Sequence, residues 1–185
     1  MVEIVKNLNQ IHQDKSGNNI EIKAFTEYDT SILFTSFAEA NWPKSLSTFE
    51  TYLQEQKFGE RIVWTAFCNN EFAGYVTLKW CSEYKPFQGK STPEVMDLNV
   101  LPLMRNRGIG STLLETAEKE AAKKSDIVGL GVGLHAGYGA AQKLYIKRGY
   151  IPDSLGVTYK YQHIKHGAKV ELGDDLVLWF TKKLK

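Results

Sequence analysis

The chain has 185 residues, which suggests one domain and is ample for a hydrophobic core. Hydrophobic residues make up 43% and charged residues 24%, the usual mix for a soluble globular protein. The 23 basic and 21 acidic residues give a formal charge of +2, which argues against a surface built to coat nucleic acid, because such a surface needs a large basic excess.

The sequence shows no pattern typical of a membrane span, a signal peptide, a disulfide framework or a zinc site. No apolar run approaches the length of a membrane span, and residues 1–19 lack the apolar core of a signal peptide. Cys68 and Cys81 are too few and too isolated for a disulfide framework or a zinc site, so we expect both to be reduced. These features predict a cytoplasmic protein without a membrane partner or a metal.

The N-terminal half predicts two helices followed by a hairpin. Residues 1–19 are polar and rich in turn formers, so they form either a loose arm or an edge strand. Asp29 precedes an apolar helical pattern, and Ser47 with Glu50 has the spacing of a capping box. The elements predicted here are a strand at 20–25, helices at 30–40 and 45–56, and paired strands at 61–68 and 72–80.

The C-terminal half alternates strands with helices. Gly149 is a typical helix stop, and the helix before it starts near residue 137. The predicted strands are 94–101, 127–134, 156–162 and 174–184, the last two antiparallel. The long helix has one apolar face made of Ile109, Leu113, Leu114, Ala117 and Ala121. This order predicts an α/β fold with a mixed sheet, in a single domain over residues 1–185.

Gly108 and Gly110 lie where the strand 94–101 gives way to the long helix. Unpaired N–H groups of the first helical turn and the helix dipole favour an anion at such a place, and glycine lets the backbone approach it. A turn in which glycine only relieves strain is the alternative. The spacing fits neither a P-loop nor a dinucleotide-binding fingerprint. The side chains that could add contacts to an anion are Arg105, Arg107, Ser111 and Thr112.

Two motifs in this region carry a family resemblance. The segment "VLPLMRNRGIGSTLL" resembles the acetyl-CoA-binding signature of the GNAT superfamily of N-acetyltransferases, Q/R-x-x-G-x-G/A after a strand ending in V-x-P, with Arg105, Gly108 and Gly110 at its defining positions. Farther on, "AAQKLYIKRGY" resembles the second family motif, A-x-x-L-Y-x-x-x-G-F/Y. The resemblance extends from about residue 20 to the end and implies a GNAT-like fold, a central mixed sheet flanked by helices.

The resemblance implies that acetyl-CoA is the cosubstrate. Backbone amides of the glycine loop would hold its pyrophosphate, and main-chain groups at the end of strand 94–101 would hold the acetyl carbonyl and the pantetheine arm. Many members carry asparagine where this chain has Tyr138, which affects one polar contact near the thiol arm. The residues assigned to acetyl-CoA are Leu98, Asn99, Val100, Arg105, Asn106, Arg107, Gly108, Ile109, Gly110, Ser111, Thr112, Tyr138 and Gln142.

In this family the amine attacks the thioester directly and no metal takes part. The resemblance assigns Tyr145 as the acid that protonates the departing thiolate, with a half-buried helix aromatic as the alternative. Glu94 and Asp97 are both candidates for the base that deprotonates the amine, on opposite faces of their strand. A relay through water alone is the third possibility for the base.

The strand 127–134 has an unusual face. Gly129, Gly131 and Gly133 alternate along it and therefore lie on the same side. Because this side lacks side chains, we expect a helix or the cofactor to lie very close to it.

The sequence therefore predicts an enzyme that moves an acetyl group from acetyl-CoA to a primary amine of a small molecule. An acetyltransferase of a protein amine and a non-catalytic acyl-CoA-binding regulatory module are the alternatives. No nucleic-acid partner is expected, and a homodimer stays open. The acceptor is expected near segments that contain Trp42, Trp80, Tyr84, Phe87 and Tyr159, each of which could equally pack in the core.

Overall fold

The computed structural model describes residues 10–13 and 17–185, which form five helices and nine strands. The helices are α1 (Asp29–Glu39), α2 (Leu46–Lys57), α3 (Lys85–Gln88), α4 (Ile109–Ala121) and α5 (Gly139–Lys147). The strands are β1 (Gln10–Gln13), β2 (Asn19–Ala24), β3 (Arg61–Cys68), β4 (Glu71–Lys79), β5 (Glu94–Val100), β6 (Ile127–Gly133), β7 (Ile151–Tyr159), β8 (Gln162–His163) and β9 (Leu176–Lys183). The predicted α/β class with a mixed sheet is confirmed, because β5 and β6 pair in parallel and the other registered pairs are antiparallel.

Two compact units make up the chain. The first holds the described residues up to Lys79 together with Asp97–Ala117, and the second holds Trp80–Met96 together with Glu118–Lys185. The division falls within β5 and within α4, so each of these two elements contributes residues to both units.

In the first unit the strands follow the order β1-β2-β3-β4-β5. The described part of the predicted N-terminal arm forms the edge strand β1, with Gln10 opposite Ile22 and Gln13 opposite Asn19. The prediction for residues 1–9 and 14–16 lies outside the described residues. The strand predicted at 20–25 is β2, which pairs with β3.

The hairpin predicted between the two β-rich runs is confirmed. Cys68 of β3 lies opposite Glu71 of β4, so the connection is only Asn69 and Asn70. Both asparagines have left-handed backbones, with φ of 50° and 69°. Two successive left-handed residues give the turn whose twist matches that of paired strands, and asparagine tolerates this conformation better than most residues.

An aromatic core joins the two N-terminal helices to the sheet of the first unit. Phe37 of α1 and Phe49 of α2 are fully buried, and their rings lie 5.6 and 5.8 Å from the ring of Tyr75 in β4. Both pairs are nearly perpendicular, the edge-to-face geometry that aromatic rings prefer. Leu33 and Phe37 of α1 are four residues apart, which places both on the buried face of that helix.

The starts of these two helices differ from the prediction. Helix α2 begins at Leu46, one residue before the expected cap Ser47, so the capping box of Ser47 and Glu50 is wrong. Ser45 has the extended backbone of an N-cap residue, and its hydroxyl lies 2.6 Å from that of Ser47. Asp29 is already within α1, and its carboxylate accepts hydrogen bonds from the amide and hydroxyl of Thr26.

In the second unit the strands follow the order β5-β6-β9-β7-β8. The strand β7 begins at Ile151, five residues earlier than predicted, while its antiparallel pairing with β9 is confirmed. An irregularity between Pro152 and Val157 interrupts its register, and left-handed backbones at Ser154 and Gly156 accompany it. Because of this irregularity, the first half of β7 lacks the regular alternation by which a strand is predicted from sequence.

The bare glycine face of β6 is covered mainly by aromatic side chains. A Cβ added at Gly129 would lie 2.2 Å from the ring of Phe87, and one added at Gly133 would lie 2.4 Å from the ring of Tyr138. The expectation that a helix or the cofactor lies against this face is therefore corrected at Gly133, where a ring from a 3-10 turn fills the space. At Gly129 the ring does belong to a helix, the single turn α3.

We expect Gly131→Val to destabilise the fold. A Cβ at this position would lie 2.7 Å from Val177 Cγ1 and 3.1 Å from the ring of Trp179, which is almost fully buried. Overpacking of this kind costs about 1–3 kcal/mol, so the melting temperature should fall by roughly 2–12 °C. Thermal unfolding checks this, with Gly173→Val as the matched control because, apart from its chain neighbours, no described residue has an atom within 4 Å of a Cβ there. A variant that melts with the wild type would contradict the expectation.

Candidate active site

The loop between β5 and α4 contains the glycine motif and two residues with left-handed backbones. A short 3-10 helix, Pro102–Met104, leads into it, and Asn106 and Gly108 have left-handed backbones with φ of 63° and 83°. The amide of Thr112 donates to the carbonyl of Gly108 at 3.0 Å, which is the first hydrogen bond of α4. The amides of Ile109, Gly110 and Ser111 come before that bond and therefore have no acceptor within the helix.

Open space surrounds the glycine at the start of α4. No heavy atom of the described residues lies within 4 Å of a Cβ built on Gly108, and Arg105, Asn106 and Arg107 are exposed. The Ile109 side chain is buried, so this residue can offer only main-chain groups to a ligand. The residues present therefore fit a phosphate group at the first turn of α4.

Arg105 is held by its neighbours in the first unit. Its Nε donates to the carbonyl of Val100 at 3.2 Å, and its guanidinium carbon lies 5.8 Å from the centre of the Trp42 ring. Trp42, which lies in a segment expected near the acceptor, is thus beside an arginine of the glycine loop. The hydroxyl of Thr112 is also engaged, since it bonds back to the carbonyl of Gly108 at 3.3 Å.

Gly74 of β4 lies against the main chain of the predicted cofactor-binding residues Asn99 and Val100, and the sequence analysis missed it. A Cβ on Gly74 would lie 2.3 Å from the carbonyl oxygen of Asn99 and 3.0 Å from Cα of Val100. The strand carrying Leu98, Asn99 and Val100 therefore approaches β4 at a distance that only glycine allows. A lone glycine inside a strand pattern was the available signal, but it did not identify the partner strand.

Asp97 lies within β5 and has an unusual backbone conformation. Its backbone is left-handed, with φ of 50°, and Nδ2 of Asn99 donates to its carbonyl at 3.1 Å. Its half-buried carboxylate accepts a hydrogen bond of 2.5 Å from the hydroxyl of Tyr52 in α2. The hydroxyl of Tyr75 is buried in the same cluster; Tyr52 and Asn99 lie close to it, but it makes no hydrogen bond of good geometry.

Basic and acidic groups beside this cluster neutralise one another. Arg61 is 4% exposed and donates to Glu55 and, at 2.6 Å, to the hydroxyl of Thr77. The ammonium of Lys79 lies 3.6 Å from the other oxygen of Glu55. The guanidinium carbon of Arg61 is 4.7 Å from the centre of the Tyr52 ring. Arg61 is thus bound to Glu55 and stacks on the aromatic face of Tyr52.

Four tyrosines have a pKa well above the ordinary value near 10. Burial is the largest cause at Tyr52, Tyr75, Tyr84 and Tyr150, and a nearby carboxylate adds to it at each, Asp97 at the first two. These hydroxyls are therefore protonated at neutral pH, where they act as neutral donors or acceptors.

These shifts predict alkaline unfolding. The folded state binds the phenolic protons more tightly than the unfolded state, so their contribution to stability is complete below pH ~10 and declines as the pH rises above it. Each such tyrosine lowers the free energy of unfolding by up to about 1.4 kcal/mol per pH unit in that range. Urea unfolding at successive pH values should show this decline, and at least four of the nine tyrosines should gain tyrosinate absorbance only on unfolding. Ionisation of all nine in the folded protein would contradict the prediction.

Glu94 lies in the second unit and is 3% exposed. Its carboxylate accepts a hydrogen bond of 2.5 Å from the hydroxyl of Ser82, which is itself 1% exposed. The hydroxyl of Ser82 accepts in turn from the amide of Tyr84 at 3.0 Å. Glu94 is therefore a buried carboxylate bonded to Ser82, whereas Asp97 is half-buried.

The remaining predicted residues of the second unit lie around α5. The hydroxyl of Tyr138 donates to Asp174 at 3.0 Å, and Nε2 of Gln142 donates to the carbonyl of Gly133 at 2.9 Å. Tyr145 is 7% exposed and its ring centre lies 5.9 Å from that of Tyr150. Gly149 has φ of 87°, the left-handed conformation predicted for the stop of this helix.

Two of the aromatics expected near an acceptor pack in the core of the second unit. Tyr84 stacks on Trp179 with ring centres 4.1 Å apart, and Phe87 meets Trp179 edge to face at 5.4 Å. The ammonium group of Lys124 lies 4.0 Å from the centre of the Trp80 ring. The ammonium group of Lys160 lies 5.4 Å from the centre of the Tyr159 ring. Neither arrangement marks an acceptor pocket in this unit.

Across residues 10–13 and 17–185, no three or more His, Cys, Asp or Glu side chains come together in a way that could hold a metal ion. Within the same ranges, every helix is too short or too polar to cross a bilayer.

Solved structures of acetyltransferases are similar to this one in fold. The GNAT domain of S. lividans PAT matches with a TM-score of 0.67 at 15% identity, over 95% of this chain and 96% of its own. The yncA protein of Salmonella typhimurium, solved with its cofactor acetyl-CoA, matches with a TM-score of 0.65 at 17% identity, over 90% and 94%. The ribosomal-protein-alanine N-acetyltransferase of Brucella melitensis matches with a TM-score of 0.62 at 22% identity, over 88% and 98%.

Comparison of the sequence with curated proteins found no match. The sequence profile of the family described as "Acetyltransferase (GNAT) family" matches residues 28–150, which is most of the chain and includes both motifs. The chain therefore belongs to the GNAT family of acetyltransferases and is an acetyl-CoA-dependent N-acetyltransferase.

Proposed function

We propose that the protein transfers an acetyl group from acetyl-CoA to a primary amine of a small molecule, by direct attack of the amine on the thioester. The observation that carries the proposal is the half-buried carboxylate of Asp97, which accepts a hydrogen bond from Tyr52 and extends from a left-handed residue of β5. A carboxylate can bind an ammonium group and then accept its proton. Its setting among buried aromatic rings suits a compact acceptor.

Acetyl-CoA would be held by the residues that the family motif assigns. The amides of Ile109, Gly110 and Ser111 and the exposed side chains of Arg105 and Arg107 would bind its pyrophosphate. The main chain from Leu98 to Val100 would hold the acetyl carbonyl. The open space at Gly108 supports this assignment, because a phosphate needs room beside the amides.

The reaction requires two proton transfers. The amine nitrogen forms a bond to the carbonyl carbon, the carbon–sulfur bond breaks, and the electron pair leaves on the sulfur. We propose Asp97 rather than Glu94 as the base that removes a proton from the amine, since the Glu94 carboxylate is buried and bonded to Ser82. Tyr145 remains the proposed acid that protonates the thiolate, on the strength of the second family motif.

A protein amine is the second candidate acceptor. Three similar structures bear names of enzymes that acetylate ribosomal proteins: RimL and a Salmonella typhimurium enzyme for L7/L12, and the Brucella enzyme for an alanine. Their identities to this chain are 14%, 13% and 22%. At that distance the shared fold supports the reaction but not a shared acceptor.

The test is a panel of acceptors in which release of free thiol from acetyl-CoA is followed. We expect turnover with at least one class of small primary amines, and much less with peptides that present a free N-terminal alanine or serine. The reverse preference would assign the protein-amine function. Calorimetric titration with coenzyme A provides the control for folded, binding-competent protein. Absence of both binding and turnover would overturn the proposal.

We further propose that the reaction takes place in the cytoplasm and needs neither a metal nor nucleic acid. Dialysis against a chelator should leave the rate unchanged within error. A loss of activity that added zinc or magnesium restores would contradict the metal-free mechanism.

A further inference from the structure

We infer that Tyr52 is a positioning residue that aims the carboxylate of Asp97 at the acceptor amine. The hydroxyl of Tyr52 donates to Oδ2 of Asp97 at 2.5 Å, across 45 residues of sequence. The inference rests on the proposed function, because it assumes that Asp97 meets the amine. The inference assigns a role in the reaction to a residue of α2, a helix that lies outside both family motifs.

Tyr52 restrains rotation of the Asp97 carboxylate, which the backbone contacts of Asp97 do not control. Nδ2 of Asn99 donates to the main-chain carbonyl of Asp97, and the left-handed φ fixes the direction in which the side chain leaves the strand. Neither contact controls rotation of the carboxylate about its own axis. Within residues 10–13 and 17–185, Tyr52 is the side chain that hydrogen-bonds to it.

The ring of Tyr52 is itself held on several sides. The side chain is 6% exposed, and its ring centre lies 6.2 Å from that of Phe49 and 6.2 Å from that of Tyr75. The guanidinium of Arg61 covers the ring at 4.7 Å and is anchored by Glu55 and Thr77. A donor fixed in this way keeps one carboxylate oxygen occupied and leaves the other to meet an ammonium group.

The protonation state of Tyr52 suits this role. Burial raises its pKa far above 10, and the nearby charge of Asp97 raises it further, so the hydroxyl remains a donor while the base titrates. The titratable groups that face Asp97 are Tyr52 from α2 and Tyr75 from β4, and Arg61 from β3 is the cation nearest to both tyrosines. Because Arg61 is paired with Glu55, the Tyr52 hydroxyl is the direct support of the ionised carboxylate.

The first test is Tyr52→Phe, which removes the hydroxyl and keeps the ring. We expect kcat/KM for the amine to fall about 10-fold, mainly through kcat, and KM for acetyl-CoA to change less than 2-fold, because the carboxylate loses the donor that orients it. Tyr84→Phe is the matched control, since the Tyr84 hydroxyl also donates to an aspartate, Asp153, at 2.7 Å. It should leave both constants unchanged, so a Tyr52→Phe enzyme that behaves like it overturns the inference.

A double-mutant cycle separates positioning from a general effect on the fold. If Tyr52 acts through Asp97, Tyr52→Phe should cost nothing further in an Asp97→Asn background, and the double variant should match Asp97→Asn within 3-fold. If the two losses multiply, Tyr52 acts elsewhere and the inference is wrong.

A measurement without turnover keeps this inference distinct from the proposed function. The carbon NMR resonance of the Asp97 side-chain carboxyl at neutral pH should move in Tyr52→Phe relative to the wild type, because the carboxylate loses its hydrogen bond from α2. An unchanged resonance overturns the positioning role whatever the acceptor is. A moved resonance in a protein that acetylates no amine would instead contradict the proposed function while retaining the contact between Tyr52 and Asp97.

Discussion

Asp97→Asn should lower kcat/KM for the acceptor amine by roughly 100- to 10,000-fold, the usual contribution of a general base. Asparagine keeps the size of the side chain and an oxygen that can accept from Tyr52, so the contact with α2 can survive. What it removes is the capacity to take a proton. Steady-state rates, with coenzyme A affinity measured by calorimetry, check this, and that affinity should change less than 3-fold.

Glu94→Gln is the informative comparison, because it changes the other candidate carboxylate in the same isosteric way. We expect this variant to lose stability, by about 1–3 kcal/mol, since the buried carboxylate receives a hydrogen bond from Ser82. Its pH–rate profile should keep the acid limb, whereas that of Asp97→Asn should lose it. If the acid limb disappears in Glu94→Gln instead, Glu94 is the base. If both variants keep the wild-type profile, both assignments are wrong and a water relay remains.

Gly108→Val should raise the dissociation constant of coenzyme A by roughly 10- to 150-fold. A Cβ at this position enters the open space in front of the first turn of α4, where the pyrophosphate is proposed to lie. A branched side chain also resists the left-handed backbone, with φ of 83°. Loss of one hydrogen bond between an amide and a charged phosphate accounts for an effect of this size. Calorimetric titration with coenzyme A measures it.

The control for backbone strain is Gly59→Val. Gly59 has φ of 74°, and among the residues that the structure describes none but its chain neighbours comes within 4 Å of a Cβ there. It follows α2 and lies outside the glycine loop. Both variants should lose similar stability, by about 1–2 kcal/mol, while only Gly108→Val should lose affinity. Equal affinity in the two variants would show that the loop does not hold the pyrophosphate.

Some of these features could be read from the sequence because they depend on neighbouring residues. The five apolar side chains predicted for α4 are all buried, since a helical period is a local property. The hairpin of β3 and β4 follows from two asparagines between two β-rich runs. The glycine loop and the stop at Gly149 have the left-handed backbones that their residue types indicate. Family membership rested on the same local patterns and is confirmed.

Other features depend on contacts between residues that are far apart in the sequence. Nothing in the sequence indicates that Tyr52 donates to Asp97, that Gly74 makes room for the carbonyl of Asn99, or that a phenylalanine ring fills the bare face at Gly129. Each depends on which residue of one element lies opposite which residue of another, and long-range packing sets that register rather than local propensity. The sequence by itself therefore determined the order of elements, the glycine loop and the class of enzyme. The tertiary structure decided which carboxylate reaches solvent and which is buried, because exposure is a property of the packed chain and not of any short stretch of it.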